Sequence, residues 1–197
     1  MRRSINDGRC SNKHEASLLV RQFASKMAEA AAEKPILDVA CGSGRNAIFL
    51  SQFGCRIICI DKNLTELRKR ATSEMQTSSA KKQLLELLQL DLLLEEWPFA
   101  EGSVGGIVNT HFFLPTLFPL FESSLSPGGY LIFESVPGCG GNYLELPPAG
   151  YVRSLLDWGF ELELYQERKV GPVGRDAVTT LSVARRKASS YEAEHQT

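Results

Sequence analysis

The chain predicts an α/β architecture, a doubly wound and mostly parallel seven-stranded sheet with helices on both faces and an antiparallel pair of strands at its C-terminal end. Two observations carry this. Short apolar runs alternate with helix-forming segments through five strands, and two further strand-like runs then follow each other around one turn. Asp38, Asp61, Asp91 and Asn109 fall at or just beyond the ends of four successive runs. In open sheets that edge is where ligands bind, near the reversal of strand order.

Residues 14–32 (HEASLLVRQFASKMAEAAA) are rich in helix formers, with Leu19, Phe23, Met27 and Ala30 near helical spacing, and Pro35 stops them. ILDVA is the first strand and ends in a glycine turn. RNAIFLSQFG is the next helix, with Gly54 suited to its C-terminal cap. CRIICID is an apolar run, as expected of a strand buried on both faces, and NLTELRKRATSEM follows with Asn63 a natural N-cap. LLELLQLDL fits helix or strand by pattern alone. Its end reads as a strand because it stops at Asp91, before a loop around Trp97 and Pro98. VGGIVNTHFF gives a fourth strand, TLFPLFESSL a helix, and GGYLIFES a fifth strand introduced by Pro127, Gly128 and Gly129. VPGCGGNYLELPPAG is a loop long enough to be functional. YVRSLLDWGF reads as a helix, and FELELYQERKV and DAVTTLSVARRK as two strands around GPVGR. One domain spans residues 14–187, between a lead at 1–13 and a polar tail at 188–197.

Composition narrows the function. A net charge of −1 gives no field to attract nucleic acid, which disfavours it as a partner. The lead has arginines but no apolar core after them, and GIVNTHFFLPTLFPLF is too interrupted to span a bilayer, so neither a secretory signal nor a membrane partner is expected. Cys10, Cys41, Cys55, Cys59 and Cys139 are odd in number and lack metal-ligand spacing, which reads as reduced thiols in a cytoplasmic protein without a metal site.

The segment Gly42-Ser43-Gly44-Arg45-Asn46-Ala47 satisfies the loose dinucleotide fingerprint, with Asp61 placed for ribose hydroxyls. Three features argue against a dinucleotide. Asp38 puts a carboxylate in the turn region, where it opposes a pyrophosphate and suits an ammonium and a sulfonium. The second half of the chain is short and closes with a hairpin, whereas a dinucleotide site needs two mononucleotide-binding halves. Asp91 offers an acceptor for an exocyclic amino group. Amine, ribose diol and adenine together describe S-adenosylmethionine.

ILDVACGSGRN, ICID, LQLD and LSPGGYLIFE resemble the signature segments of class I S-adenosylmethionine-dependent methyltransferases across residues 14–186. Within them CGSGRN, GGNYLELPPAG and GPVGRDAVTTLSVARR are similar to the small tellurite-resistance-type methyltransferases. The family's first loop glycine is Ala40 here, so close approach falls to Gly42 and Gly44.

The resemblance implies a Rossmann-like methyltransferase fold that turns S-adenosylmethionine into S-adenosylhomocysteine. It implies a cofactor site of Asp38, Ala40, Cys41, Gly42, Gly44, Arg45, Asn46, Asp61, Lys62, Asp91, Leu92 and Asn109. In that site Asp38 serves the methionine amino group through the loop, and Asp61 the ribose. Asp91 and the Leu92 amide take the adenine edge, and Asn109 the methionine end. Arg45 is left for the cofactor carboxylate, Asp38 or an anionic substrate.

His111 is the candidate base, set against the plainer role of shaping the pocket. Asn142, Tyr143 and Arg153 are candidate substrate contacts. The expected acceptor is a small molecule, anionic or thiol-like. A methyltransferase acting on nucleic acid or protein, or a non-catalytic cofactor-binding protein, is the alternative.

Overall fold

The computed structural model describes residues 15–74, 84–136, 146–171 and 176–188. The lead, the polar tail from residue 189 on, Cys10, Cys139, Asn142 and Tyr143 lie outside them.

In chain order the elements are α1 (Leu18–Ala31), β1 (Ile36–Val39), α2 (Arg45–Leu50), a single 3-10 turn (Ser51–Phe53), β2 (Ile57–Asp61) and α3 (Thr65–Glu74). Then come β3 (Leu85–Gln89), β4 (Val104–Thr110), α4 (Leu117–Ser124), β5 (Leu125–Ser135), α5 (Tyr151–Leu156), β6 (Phe160–Val170) and β7 (Ala177–Arg186). One sheet of seven strands runs β3-β2-β1-β4-β5-β7-β6. The first five strands are parallel, and β7 runs antiparallel to both β5 and β6. Strand order reverses between β1 and β4, so the crevice predicted for a ligand opens beyond Val39 and Thr110.

Two apolar layers sandwich the sheet. On one face α1 presents Leu19, Val20, Phe23, Ala24 and Met27, joined by Ala47 and Leu50 of α2 and Leu67 of α3. On the other, Phe118 and Phe121 of α4 and Val152 and Leu156 of α5 pack on Leu37, Val39, Ile107, Leu131 and Phe133. Ile36 and Asp38 face the first layer and Leu37 and Val39 the second, as strand alternation requires. Among the described residues no helix is long and apolar enough to cross a membrane.

Two expectations are corrected. The first helix starts at Leu18, not His14, because Ser17 caps it by accepting from Val20 N at 3.1 Å. The β3–β4 connection is not among them: it is the expected loop, opened by a turn in which Leu94 N and Glu95 N both donate to the Asp91 carbonyl. With Pro98 behind it, that turn does not propagate. β5 begins at Leu125, ahead of the Pro-Gly-Gly step, because its pairing with β4 slips between Val104 and Gly106 and absorbs the proline in an irregularity. Gly54 does cap its segment in the left-handed region, at φ 79°.

Candidate functional site

Four loops converge on the carboxyl edge of β1, β2, β3 and β4. The turn after β1 is held to its neighbour by backbone: Cys41 N donates to Ile60 O and Gly44 N to Cys41 O, each at 2.9 Å. Ala40, Gly42 and Gly44 all sit at positive φ (53°, 53° and 71°). A side chain at Gly44 would run into Leu67 of α3, whereas nothing stands within 4 Å of where one would emerge from Gly42. Gly44 therefore seats the loop against α3, and Gly42 leaves its outer side open. Ala40 holds the same left-handed geometry without a glycine's freedom, a strain of about 1–2 kcal/mol.

Asp61 is the hinge of this arrangement. One of its carboxylate oxygens accepts from Gly42 N at 2.8 Å and the other from Asn63 N at 2.9 Å. The end of β2 thus fixes the loop after β1. Ala40, Asp61, Lys62, Leu90, Asp91, Leu92, Leu93 and Phe112 line a cavity of about 190 Å³ beside it. Asp91 shapes its far wall: its carboxylate accepts from Leu93 N at 3.0 Å and its own amide donates to Glu95 at 2.7 Å. Leu90, Leu93 and Phe112 are lining residues that the sequence reading missed; only their position next to Asp91 and His111 pointed to them.

Asp38 lies beneath the loop and not in the cavity. It is 1% exposed and accepts from Ala47 N at 3.0 Å in the first turn of α2. Burial pushes its carboxyl up to about 7; the Asp61 charge adds to this, and the Ala47 amide and Arg45 oppose it. Cys41 is buried beside Cys59, and that neighbouring thiol, then burial, raises the Cys41 pKa far out of the reactive range.

Beyond β4 the polar groups gather differently. Asn109 is 1% exposed, and its Oδ1 has no hydrogen-bond partner among the described residues. His111 stands at φ 64°, donates its backbone N–H to Glu134 O at 2.8 Å, and rests Nδ1 on Val136 O at 3.2 Å. A carbonyl partner makes Nδ1 the protonated nitrogen of the neutral ring, which leaves Nε2 as the acceptor. The ring's pKa is lowered, first by desolvation and then by the Arg45 charge, against the Val136 carbonyl. Non-glycine residues at such φ values concentrate at functional sites.

Asn46 is not turned to the cavity. Both ends of its amide are taken by protein, Oδ1 by Ser17 N and Nδ2 by Thr110 Oγ1, each at 3.0 Å. Arg153 lies on the exposed side of α5 with its guanidinium 5.6 Å from the Tyr165 ring centre, away from the cavity lining. Tyr165 in turn donates to Glu167, whose carboxylate accepts from Gly150 N at 3.0 Å. Phe113 stacks edge-on with Phe133 and Tyr151, giving the face beyond Phe112 an aromatic wall.

Thr180 and Ser182, fully buried on β7, carry hydroxyls with no partner among the described residues. A buried unsatisfied hydroxyl costs about 1–3 kcal/mol. Thr180→Val is therefore expected to raise the melting temperature by about 2 °C or more, at about 2–4 °C for each kcal/mol recovered. A fall in thermal unfolding temperature would show that this hydroxyl is satisfied.

Residues 36–129 match the methyltransferase domain family. A search of curated proteins finds no match. Among solved structures the chain is similar to TehB from Haemophilus influenzae, at 17% identity and TM-score 0.64 over 84% of this chain. It spans only 62% of the length of that protein. It is also similar to an S-adenosylmethionine-dependent methyltransferase, described as putative, from Listeria monocytogenes, at 16% identity and TM-score 0.59 over 86% of this chain and 99% of that one. A third likeness is to Burkholderia thailandensis 1,6-didemethyltoxoflavin-N1-methyltransferase, solved with its substrate and S-adenosylhomocysteine, at 15% identity and TM-score 0.56, covering 87% and 79% of the two chains. At these identities the likenesses establish the fold.

Proposed function

We propose that this chain, whose residues 36–129 match the methyltransferase domain family and whose fold is similar to that of S-adenosylmethionine-dependent methyltransferases, is a class I enzyme of that kind and methylates a small molecule whose nucleophile is a thiol or an oxyanion. The observation that supports this best is Asp61, which lines the cavity while its carboxylate holds Gly42 N. The residues present fit the cofactor. Asp61 suits the ribose diol, Asp91 and the Leu92 amide the adenine edge, and Leu90, Leu93 and Phe112 the faces of the base. Asn109 Oδ1, buried without a partner among the described residues, suits the methionine ammonium. Asp38 acts on that ammonium only as a charge beneath the loop.

When bound, S-adenosylmethionine supplies an electrophilic methyl group and a neutral thioether leaving group. The chain's work is to align and dehydrate the acceptor. His111 Nε2 takes the proton from a neutral acceptor, and the Arg45 charge favours an acceptor that is already anionic. Arg153, Asn142 and Tyr143 remain proposed acceptor contacts. So does membership of the tellurite-resistance-type branch, which rests on CGSGRN and on two later segments that lie partly outside the described residues. We place the protein in the cytoplasm on its odd number of cysteines.

Calorimetry with S-adenosylmethionine, S-adenosylhomocysteine and NAD tests the reading. Both adenosyl compounds are expected to bind and NAD is not. Binding of NAD alone overturns it. A panel of thiols, oxyanions and small acids, scored by S-adenosylhomocysteine formation, then names the acceptor.

A further inference from the structure

Arg45 opens α2 on the cofactor side of the crevice, and His111 follows β4 on the other side. The residues next to them are joined by one bond, from Asn46 Nδ2 to Thr110 Oγ1 at 3.0 Å. That bond belongs to a closed circuit. Asn46 Oδ1 accepts from Ser17 N at 3.0 Å, Ser17 Oγ donates to Glu134, and the Glu134 carbonyl accepts from His111 N at 2.8 Å. His111 follows Thr110 in the chain, which closes the ring. Ser17, Asn46, Thr110 and Glu134 are all buried, at 3–8% exposure. Removing one member strands the partners on either side, so such a network is rigid when complete and sharply weakened when cut.

We propose that Asn46 is a positioning residue for methyl transfer: through this ring it sets the spacing between Arg45 and His111. The inference rests on the reading of the crevice as a methyl-transfer site. It explains why a residue of the glycine-loop motif turns its amide away from the cavity. It also explains what holds His111 at φ 64°, a conformation that persists only when its surroundings over-determine it. Arg45 from α2 and the Val136 carbonyl face the His111 ring, the Glu134 backbone carbonyl takes its amide, and Arg45 holds its pKa below the ordinary 6.5 after desolvation.

The test reads that spacing without an acceptor. The imidazole of His111 is titrated by NMR in the full chain, its signal assigned by His111→Gln against His14 and His195. Thr110→Val cuts the ring while leaving Asn46 on Ser17, and the His111 midpoint is expected to rise by about half a pH unit or more as Arg45 moves away. Asn46→Ala, which breaks the same link from its other end, gives the same rise, and Thr110→Ser restores the original midpoint. A folded Thr110→Val with an unmoved midpoint overturns the proposal. A wild-type chain that fails to bind S-adenosylhomocysteine overturns the methyltransferase reading instead, so the two failures are distinguishable.

Discussion

Asp61→Ala lowers the affinity for S-adenosylhomocysteine by about 100-fold, or ~2.7 kcal/mol. Two losses combine. The proposed ribose contacts are hydrogen bonds to a charged acceptor, each of which contributes about 1.5–3 kcal/mol. The same carboxylate accepts from Gly42 N and Asn63 N, so its removal also frees the loop after β1 and the entry to α3. Asp61→Asn separates them. It keeps an oxygen for one backbone amide but presents an NH₂ where the other oxygen stood, so it should lose most of the affinity with less disturbance of the loop. Calorimetry measures the binding, and near-native circular dichroism guards against misfolding. Undiminished affinity in a folded Asp61→Ala removes this residue from the site.

Why Asp61 was legible and Asp38 only half so is a matter of direction. Both end an apolar run, and sequence places both at the carboxyl edge. At Asp61 the chain leaves the sheet with its side chain lining the crevice. Two positions before the turn, strand alternation sends Asp38 to the face covered by α2, where it caps Ala47 N. Pattern gives the edge of the sheet but not the helix that covers a given position on it. Asn46 is the same case: its place in the glycine motif was plain, while its turn toward Ser17 and Thr110 depends on where α1 docks, across 29 and 64 residues of chain.

The parallel strands were readable because both faces are buried, which makes them continuous apolar runs. β3 was ambiguous for the complementary reason. It is an edge strand with Glu86, Leu87 and Gln89 exposed, so its burial pattern is blurred. The polar ring behind His111 carries no sequence signal at all, since Ser17 and Glu134 are 117 residues apart.

Asp38→Asn separates stability from binding. In an unfolded chain this carboxyl titrates near 3.8, and in the folded free protein burial raises it to about 7. A folded pKa above the unfolded one means that the folded state binds more protons between those values. The associated stability is full below 3.8 and is lost as pH rises through about 7. At pH 8 the ionised side chain therefore destabilises the free protein, by an upper bound of about 4 kcal/mol for a shift of some three units. Asparagine keeps an acceptor for Ala47 N and cannot ionise.

The variant is expected to melt at least about 4 °C higher than wild type at pH 8, with the difference vanishing near pH 4, where Asp38 is neutral. Binding moves the other way. A ligand bearing an ammonium and a sulfonium favours the ionised carboxylate, so wild-type affinity for S-adenosylmethionine rises with pH through about 7 and binding releases a proton. Calorimetry in buffers of different ionisation enthalpy counts that proton. In the Asp38→Asn variant the affinity is weaker above pH 7 and the proton release is gone. Glu134 and His111 also lie in the field of Arg45. His111→Gln serves as the control for a second titrating group. Proton release that survives Asp38→Asn, or a melting temperature at pH 8 that falls, would mean that the carboxyl under the loop is not the group that senses the cofactor's charge.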